Sequence, residues 1–225
     1  MLTPADYEAI LLSAKVAGTA TLLALPLGFL AAYLVAFGRF AGKTVLEVLI
    51  NLPLTLPPVV VGYFLLLLLG KRGWLGPLLE RFGIPVIFTW KAAVIASAVV
   101  GFPLLVKAIR VAMESIDVRL IHAARTLGAG RFDVMLTVIL PLSLRGILAG
   151  SSLMFARSLG EFGATIIVAG NMPGVTQTVP LAIYDYASSP QGSETALVLC
   201  LIAAGMSLAV LAFHESLLRK FAAGR

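Results

Sequence analysis

An all-α, polytopic transmembrane bundle of about five spans is the fold class this sequence predicts, and three observations predict it. Of the 225 residues, 60% are hydrophobic and only 12% charged, with a mean hydropathy of +1.01. An ordinary soluble domain is about 45–50% apolar and about 25% charged. The excess is too large to hide in one globular core, so lipid must solvate much of the surface. The apolar residues form continuous runs, not the short alternating segments of a β-barrel. The net charge of +6 comes from basic residues gathered between those runs, a placement that orients membrane proteins and excludes a nucleic-acid partner.

Five runs are long enough to cross about 30 Å of hydrocarbon at about 1.5 Å per residue. They cover residues 8–37, 46–70, 88–112, 142–169 and 195–218, within a single domain of residues 1–225. The first run lacks a basic leader and exceeds a signal-peptide core, so it is expected to be a retained span. Pro26 lies in the first run, and Pro53, Pro57 and Pro58 lie in the second. Prolines free backbone carbonyls, which is tolerable in a membrane only where other helices or water satisfy them. The second span is therefore expected to be interrupted, and the fourth continuous. Trp74 is an interfacial anchor in the loop 71–87, and the segment 170–194 holds a short helix centred on Val179–Tyr184 that cannot span. The single Cys200 excludes an internal disulfide framework.

Lysine and arginine set the orientation. Segments 38–45, 107–145 and 219–225 share one side and hold Arg39, Lys43, Lys107, Arg110, Arg119, Arg125, Arg131, Arg145, Arg219, Lys220 and Arg225. The other side holds only Lys71, Arg72, Arg81 and Lys91. Eleven against four predicts a cytoplasmic C-terminus and an external N-terminus.

Residues 117–141 are then a cytoplasmic insert. Asp117 can cap a helix from about Val118 to Leu127, and Gly128 supplies its stop. A second helix from Arg131 to Leu140 carries Phe132, Met135, Leu136 and Ile139 at helical spacing, with Pro141 expected to break it. Two short helices around Gly128-Ala129-Gly130 make an elbow, suited either to lying at the interface or to docking a cytoplasmic partner.

The elbow resembles the E-A-A, three residues, G, nine residues, I-x-L-P motif of permease subunits in bacterial ABC importers. His122-Ala123-Ala124, Gly128, Val138, Leu140 and Pro141 stand at that spacing, with His122 for the Glu and Val138 for the Ile. "HAARTLGAGRFDVMLTVILPLSLRGILAG", "FARSLGEFGATI" and "NLPLTLPPVVVGYFLLLLLGKRG" extend the likeness to permeases of molybdate importers, and sulfate/thiosulfate and tungstate permeases carry similar segments. The resemblance implies a type I importer fold in the bacterial inner membrane. It implies a permease homodimer, a cytoplasmic ATPase dimer that uses ATP and Mg, and an extracytoplasmic oxyanion-binding protein. It assigns ATPase coupling to Asp117, His122, Ala123, Ala124, Arg125, Leu127, Gly128, Arg131, Leu140 and Pro141.

The chain itself is read as a transport subunit, not an enzyme, with no bound cofactor. Gly42-Lys43-Thr44 lacks the first glycine of a phosphate-binding loop, since Phe37 stands there. No spacing supplies a metal triad or a nucleophile–base pair. An uncompensated charge in a span costs at least about 2.5–3.5 kcal/mol. Lys15 can snorkel to the outer end, and Arg157 and Glu161 are spaced to neutralise each other. With Ser151, Ser152, Ser158, Gly160 and Gly163 they give a small polar face, which serves either close helix packing or a translocation path. Ser152, Arg157, Ser158, Glu161, Pro57 and Pro58 are the path or gate candidates. An ion-coupled secondary transporter would instead call for inverted repeats and paired interrupted helices; none is evident in the sequence.

Overall fold

The computed structural model describes residues 2–223 and contains, among them, helices and no strand. The Arg225 of the charge count lies outside the described residues. Helix α1, Pro4–Phe37, starts a turn before the expected boundary because Thr3 and Pro4 form a strong N-terminus. The Thr3 N–H and hydroxyl both donate to Asp6 Oδ2, at 2.6 and 2.8 Å. Pro26 sits inside α1 without ending it. The helix presents one side, with Val16, Ala20, Ala24 and Ala32 all buried, to the main core, while Ala9 joins a second cluster with Ala182 and Leu199.

Helix α5, Trp90–Glu114, receives that side and is the hub of the bundle. Thr89 Oγ1 caps it by accepting from the Lys91 N–H at 3.2 Å. Its other face receives α9, Leu144–Leu159, through small residues. A Cβ on Gly146 would overlap Ala112 and lie 2.8 Å from the Ala108 carbonyl, and one on Gly150 would lie 2.9 Å from the Leu105 carbonyl. Lipid tails are as apolar as leucine side chains, so helices here gain by close van der Waals approach, and glycine permits it. The last long helix, α12 (Ser193–Ala223), leaves Leu197, Leu201, Leu208 and Phe213 exposed.

The second membrane segment is interrupted. It consists of α2, Lys43–Thr55, and α3, Pro58–Leu69, bent by 116° at Leu56–Pro57. The fourth departs from the expected continuous run 142–169. Helix α9 stops at Leu159 and a separate short helix α10, Gly163–Val168, follows a three-residue break. Among the described residues only α1, α5 and α12 are single helices long and apolar enough to cross a membrane; counting two bent pairs, α2 with α3 and the stretch Arg131–Leu142 with α9, raises the number to five.

The insert also differs from its expected form. Helix α6, Val118–Thr126, precedes Gly128, and α7, Arg131–Val134, opens the second arm. A π-helical stretch, Met135–Ile139, comes next, then α8, Leu140–Leu142, and the turn into α9 falls at Ser143 with a 66° bend. Pro141 therefore does not break the arm. The Leu140 N–H reaches back to the Met135 carbonyl, and the ladder resumes with Ser143 N–H to Ile139 O at 2.9 Å, so the missing proline donor is absorbed by the wider π turn. Short helices α4, Gly76–Arg81, and α11, Val179–Ala187, complete the far end. The buried Ser13 hydroxyl accepts the Val179 N–H at 2.8 Å and ties α11 to α1.

Overpacking the α5–α9 contact tests this architecture. Gly146→Val is expected to destabilise by about 1–3 kcal/mol, read as a lowered detergent melting temperature. Gly205→Ala, where an added Cβ meets nothing within 4 Å, is expected to change stability by less than about 0.5 kcal/mol.

Candidate functional site

Two interrupted segments meet inside the bundle. The start of α3 lies against the start of α10 so closely that a Cβ on Gly62 would sit 2.8 Å from Ala164 Cα, and one on Gly163 would sit 2.9 Å from Pro58 Cβ. A break in a membrane helix leaves N–H and C=O groups that hydrocarbon cannot satisfy. Here the two breaks cover each other. Pro58 is half-buried in the contact, and Pro57, one residue earlier, is exposed.

Glu161 occupies the break of the fourth segment, and its side chain is 1% exposed. One oxygen, Oε1, accepts the Ala164 N–H at 2.9 Å and so satisfies a first-turn donor of α10. The other, Oε2, lies 2.8 Å from Arg157 Nη1, an ion pair whose alignment is not that of a hydrogen bond. Arg157 is 31% exposed, so the pair is buried at its acidic end and open at its basic end. The two charges cancel, and the site offers no net positive charge to an anion. Beside it, Phe162 stacks on Tyr184 of α11 with ring centroids 5.2 Å apart.

The expected polar face of α9 divides in two. Ser158 is buried against α5, its Oγ 3.5 Å from where a Gly101 Cβ would stand. Ser151 and Ser152 instead line an apolar groove of about 540 Å³ with Gly18, Phe155 and Phe213, and the Ser152 hydroxyl donates to the Leu148 carbonyl at 2.9 Å. Ser152 thus stands apart from the paired breaks, while Pro58, Glu161 and its partner Arg157 gather there. Lys15 does more than snorkel: its ammonium lies 4.1 Å over the Trp90 ring, a cation–π contact between α1 and α5.

At the opposite end the elbow is built by local hydrogen bonds. Asp117 Oδ1 accepts the Arg119 N–H at 2.9 Å and caps α6. Gly128 has φ +91°, with its N–H on the Arg125 carbonyl at 3.0 Å and the Ala129 N–H on the Ala124 carbonyl at 3.1 Å. This paired termination requires the left-handed conformation that glycine adopts without cost. Asp133 Oδ2 then accepts the Gly130 N–H at 2.9 Å and starts the second arm.

Only Ile121, Val134 and Ile139 of the elbow turn inward. Of the four apolar residues at helical spacing, Ile139 is buried and Met135 half-buried, while Phe132 and Leu136 are exposed. Leu127 is 89% and Phe132 64% exposed, beside Val118 and Leu120, with His122, Ala123, Arg125 and Arg131 also exposed; Ala124 and Leu140 are half-buried and Pro141 is exposed. An exposed apolar patch interleaved with arginines is the composition of a protein-docking surface. One contact between segments was not foreseeable from spacing: Arg110 near the end of α5 reaches Glu47 on α2 at 3.4 Å as well as Glu114 at 2.6 Å. Only the second, at i,i+4, is visible in the sequence.

Paired interrupted helices, not evident in the sequence, are thus present. They mark a membrane transport component without separating an importer permease from an ion-coupled transporter, and family membership decides between the two. Residues 24–222 match the family described as the binding-protein-dependent transport system inner membrane component, and the chain belongs to that family. It is 49% identical over 220 residues to the molybdenum transport system permease protein ModB of Escherichia coli strain K12, covering 97% of this chain and 96% of that one. It is also 49% identical over 216 residues to the protein of the same name from Haemophilus influenzae, covering 96% and 94%. Among solved structures, a bacterial ABC transporter involved in importing the acidic polysaccharide alginate shares the fold, with a TM-score of 0.75 at 16% identity over 97% of this chain and 80% of that one. The chain is an all-helical, multi-pass membrane permease of the type I ABC importer fold.

Removing Arg157 alone leaves the Glu161 carboxylate buried without its counter-charge, so Arg157→Ala is expected to destabilise by about 3–5 kcal/mol. Arg157→Ala/Glu161→Ala is expected to lose less, in a double-mutant cycle read by detergent melting. Equal losses would count against the pairing.

Proposed function

We propose that this chain is the membrane-spanning subunit of an ATP-driven importer that carries a tetrahedral oxyanion, molybdate, inward. The near-full-length identity to molybdenum permeases carries the substrate assignment. The homologous permeases support a complex of two copies of this chain, two cytoplasmic ATPase subunits and an external binding protein. ATP and Mg belong to the ATPase subunits, and this chain holds no ATPase site of its own. The basic elbow faces the cytoplasm with the C-terminus, and the N-terminus lies outside, following the excess of basic residues on that side.

In this reading the elbow, with Asp117, His122, Ala123, Ala124, Arg125, Leu127, Gly128, Arg131, Leu140 and Pro141, seats in the ATPase. ATP binding draws the two elbows together and tilts the helices as rigid bodies. The paired breaks, with Pro57, Pro58, Arg157, Ser158 and Glu161, form the gate that opens and closes. A neutral gate favours passage, because a tight site in the path would slow release. Ser152, set apart in its groove, does not join this gate.

Vesicles carrying this chain with its ATPase and binding protein test the reading. Molybdate uptake is expected to require ATP and to persist when ion gradients are collapsed. Uptake without ATP in the presence of an ion gradient would overturn it. In the same vesicles Gly128→Val, which forces a β-branched residue to φ +91°, is expected to lower uptake per ATP hydrolysed by about tenfold. Wild-type transport in that variant would exclude the elbow geometry as the coupling element.

A further inference from the structure

We propose that Arg110 is a positioning residue that carries movement of the elbow to the interrupted second segment. The inference rests on the importer reading above and adds to it a specific mechanical link.

Arg110 lies one turn before the end of α5, the helix that leads through Ser115 and Asp117 directly into the elbow. Its guanidinium bridges two carboxylates: Nε lies 2.6 Å from Glu114 Oε1 on the same helix, and Nη1 lies 3.4 Å from Glu47 Oε1 on α2. The planar fork of arginine suits such a bridge, since its donors point to two acceptors at once. Among the described residues this is the only ion pair that joins two different membrane segments.

Within one copy of the chain, helix α2 is held by its packing on α5, a lighter contact with α1 and this ion pair. Ile50 is its only buried residue. Along its inner side an apolar cleft of about 460 Å³ lies between Leu49, Ile50 and Pro53 on one side and α1 and α5 on the other. The Asn51 amide, one turn on, donates to the Glu47 backbone carbonyl at 2.6 Å, and the Glu47 carboxylate is left to Arg110 as its ion-pair partner. The other end of α2 is the bend at Leu56–Pro57, beyond which Pro58 and Gly62 pack on Gly163 and Ala164, next to Glu161. A lever with one soft flank, one polar tie and one hinge moves where its tie moves it. When the elbow displaces the end of α5, Arg110 draws Glu47 with it and turns α2 about the proline hinge. Rigid elements that have two discrete arrangements are what carry coupling over such distances, and a double-mutant cycle is the direct test.

The test uses the complete complex in vesicles, reading molybdate uptake per ATP hydrolysed for Arg110→Gln, Glu47→Gln and both together. Each single variant is expected to lose about tenfold in this ratio while ATP hydrolysis continues, and the double variant to lose no more than either single one. Glu114→Gln, which removes only the contact within α5, is expected to stay within about twofold of wild type. Single variants at the wild-type ratio, or a double variant that multiplies the two losses to about a hundredfold, would overturn the link. Should Arg110→Gln fail to assemble, Glu47→Cys/Arg110→Cys in a Cys200→Ser background, bridged by a short bifunctional thiol reagent, decides the matter. The unbridged pair is expected to lose about tenfold, as the ion-pair variants do, and bridging to restore the uptake ratio, because the pair again moves as one body. No recovery on bridging would overturn the link. Absence of ATP-driven uptake in wild-type vesicles would instead remove the importer reading itself.

Discussion

A membrane helix that stops inside the bilayer must find partners for its freed backbone groups, and the rest of this structure is arranged around that constraint. The second and fourth segments both stop, at Leu56–Pro57 and at Gly160–Phe162. Neither break could face lipid, where each unsatisfied group costs several kcal/mol or about that order. Glycines 62 and 163 let the two breaks press together, and the Glu161 carboxylate takes the Ala164 N–H. That carboxylate could not itself be buried as a charge without Arg157 2.8 Å away. One ion pair, one capped N–H and two glycines therefore make the interruption stable enough to exist and local enough to move.

Helix α5 gives the breaks something fixed to move against. Its buried alanines receive α1, its Gly101 and Ala108 receive α9, and the Phe88 N–H just ahead of it holds the Val168 carbonyl of α10 at 2.9 Å. The same helix ends in the elbow. In the proposed cycle a displacement at the elbow would be delivered to a rod with small-residue contacts on two sides, and close-packed contacts of this kind shift as bodies in preference to deforming gradually. The softer flank is α2, with its single buried residue and adjoining cleft.

What the sequence made most legible is local. Asp117 before Val118 and Gly128 after Leu127 are signals read within a few residues, and the structure places a cap and a left-handed glycine there. Pro57-Pro58 likewise marks its own bend. The break at Gly160–Phe162 has no proline; Gly160 and Gly163 flank Glu161 there, a local stop signal that the high hydropathy of the surrounding run masks, and the close approach of Gly62 shows what the break packs against. The second arm of the elbow misleads for a related reason. Phe132, Met135, Leu136 and Ile139 fit an α-helical face, but the arm continues as a π stretch from Met135, and only Ile139 is buried and Met135 half-buried, while Phe132 and Leu136 stay exposed. Hydropathy cannot distinguish a residue facing lipid or core from one awaiting a partner protein.

The charge balance of the paired breaks bears on how selection is divided in the proposed complex. A lone Arg157 would hold a dianion in the path and slow its exit, and a lone Glu161 would repel it. Paired at 2.8 Å they present a dipole and no net charge, so an oxyanion on the proposed path would pass without being retained. Molybdate, tungstate and sulfate carry the same charge on the same tetrahedral shape, and a conduit that holds none of them firmly has little means of telling them apart. Discrimination requires a site that closes around the anion with fixed donors and pays no penalty for holding on, which is a task for the partner that captures the anion before it reaches the membrane. The permease can then be neutral where it opens, and its own residues are free to serve coupling.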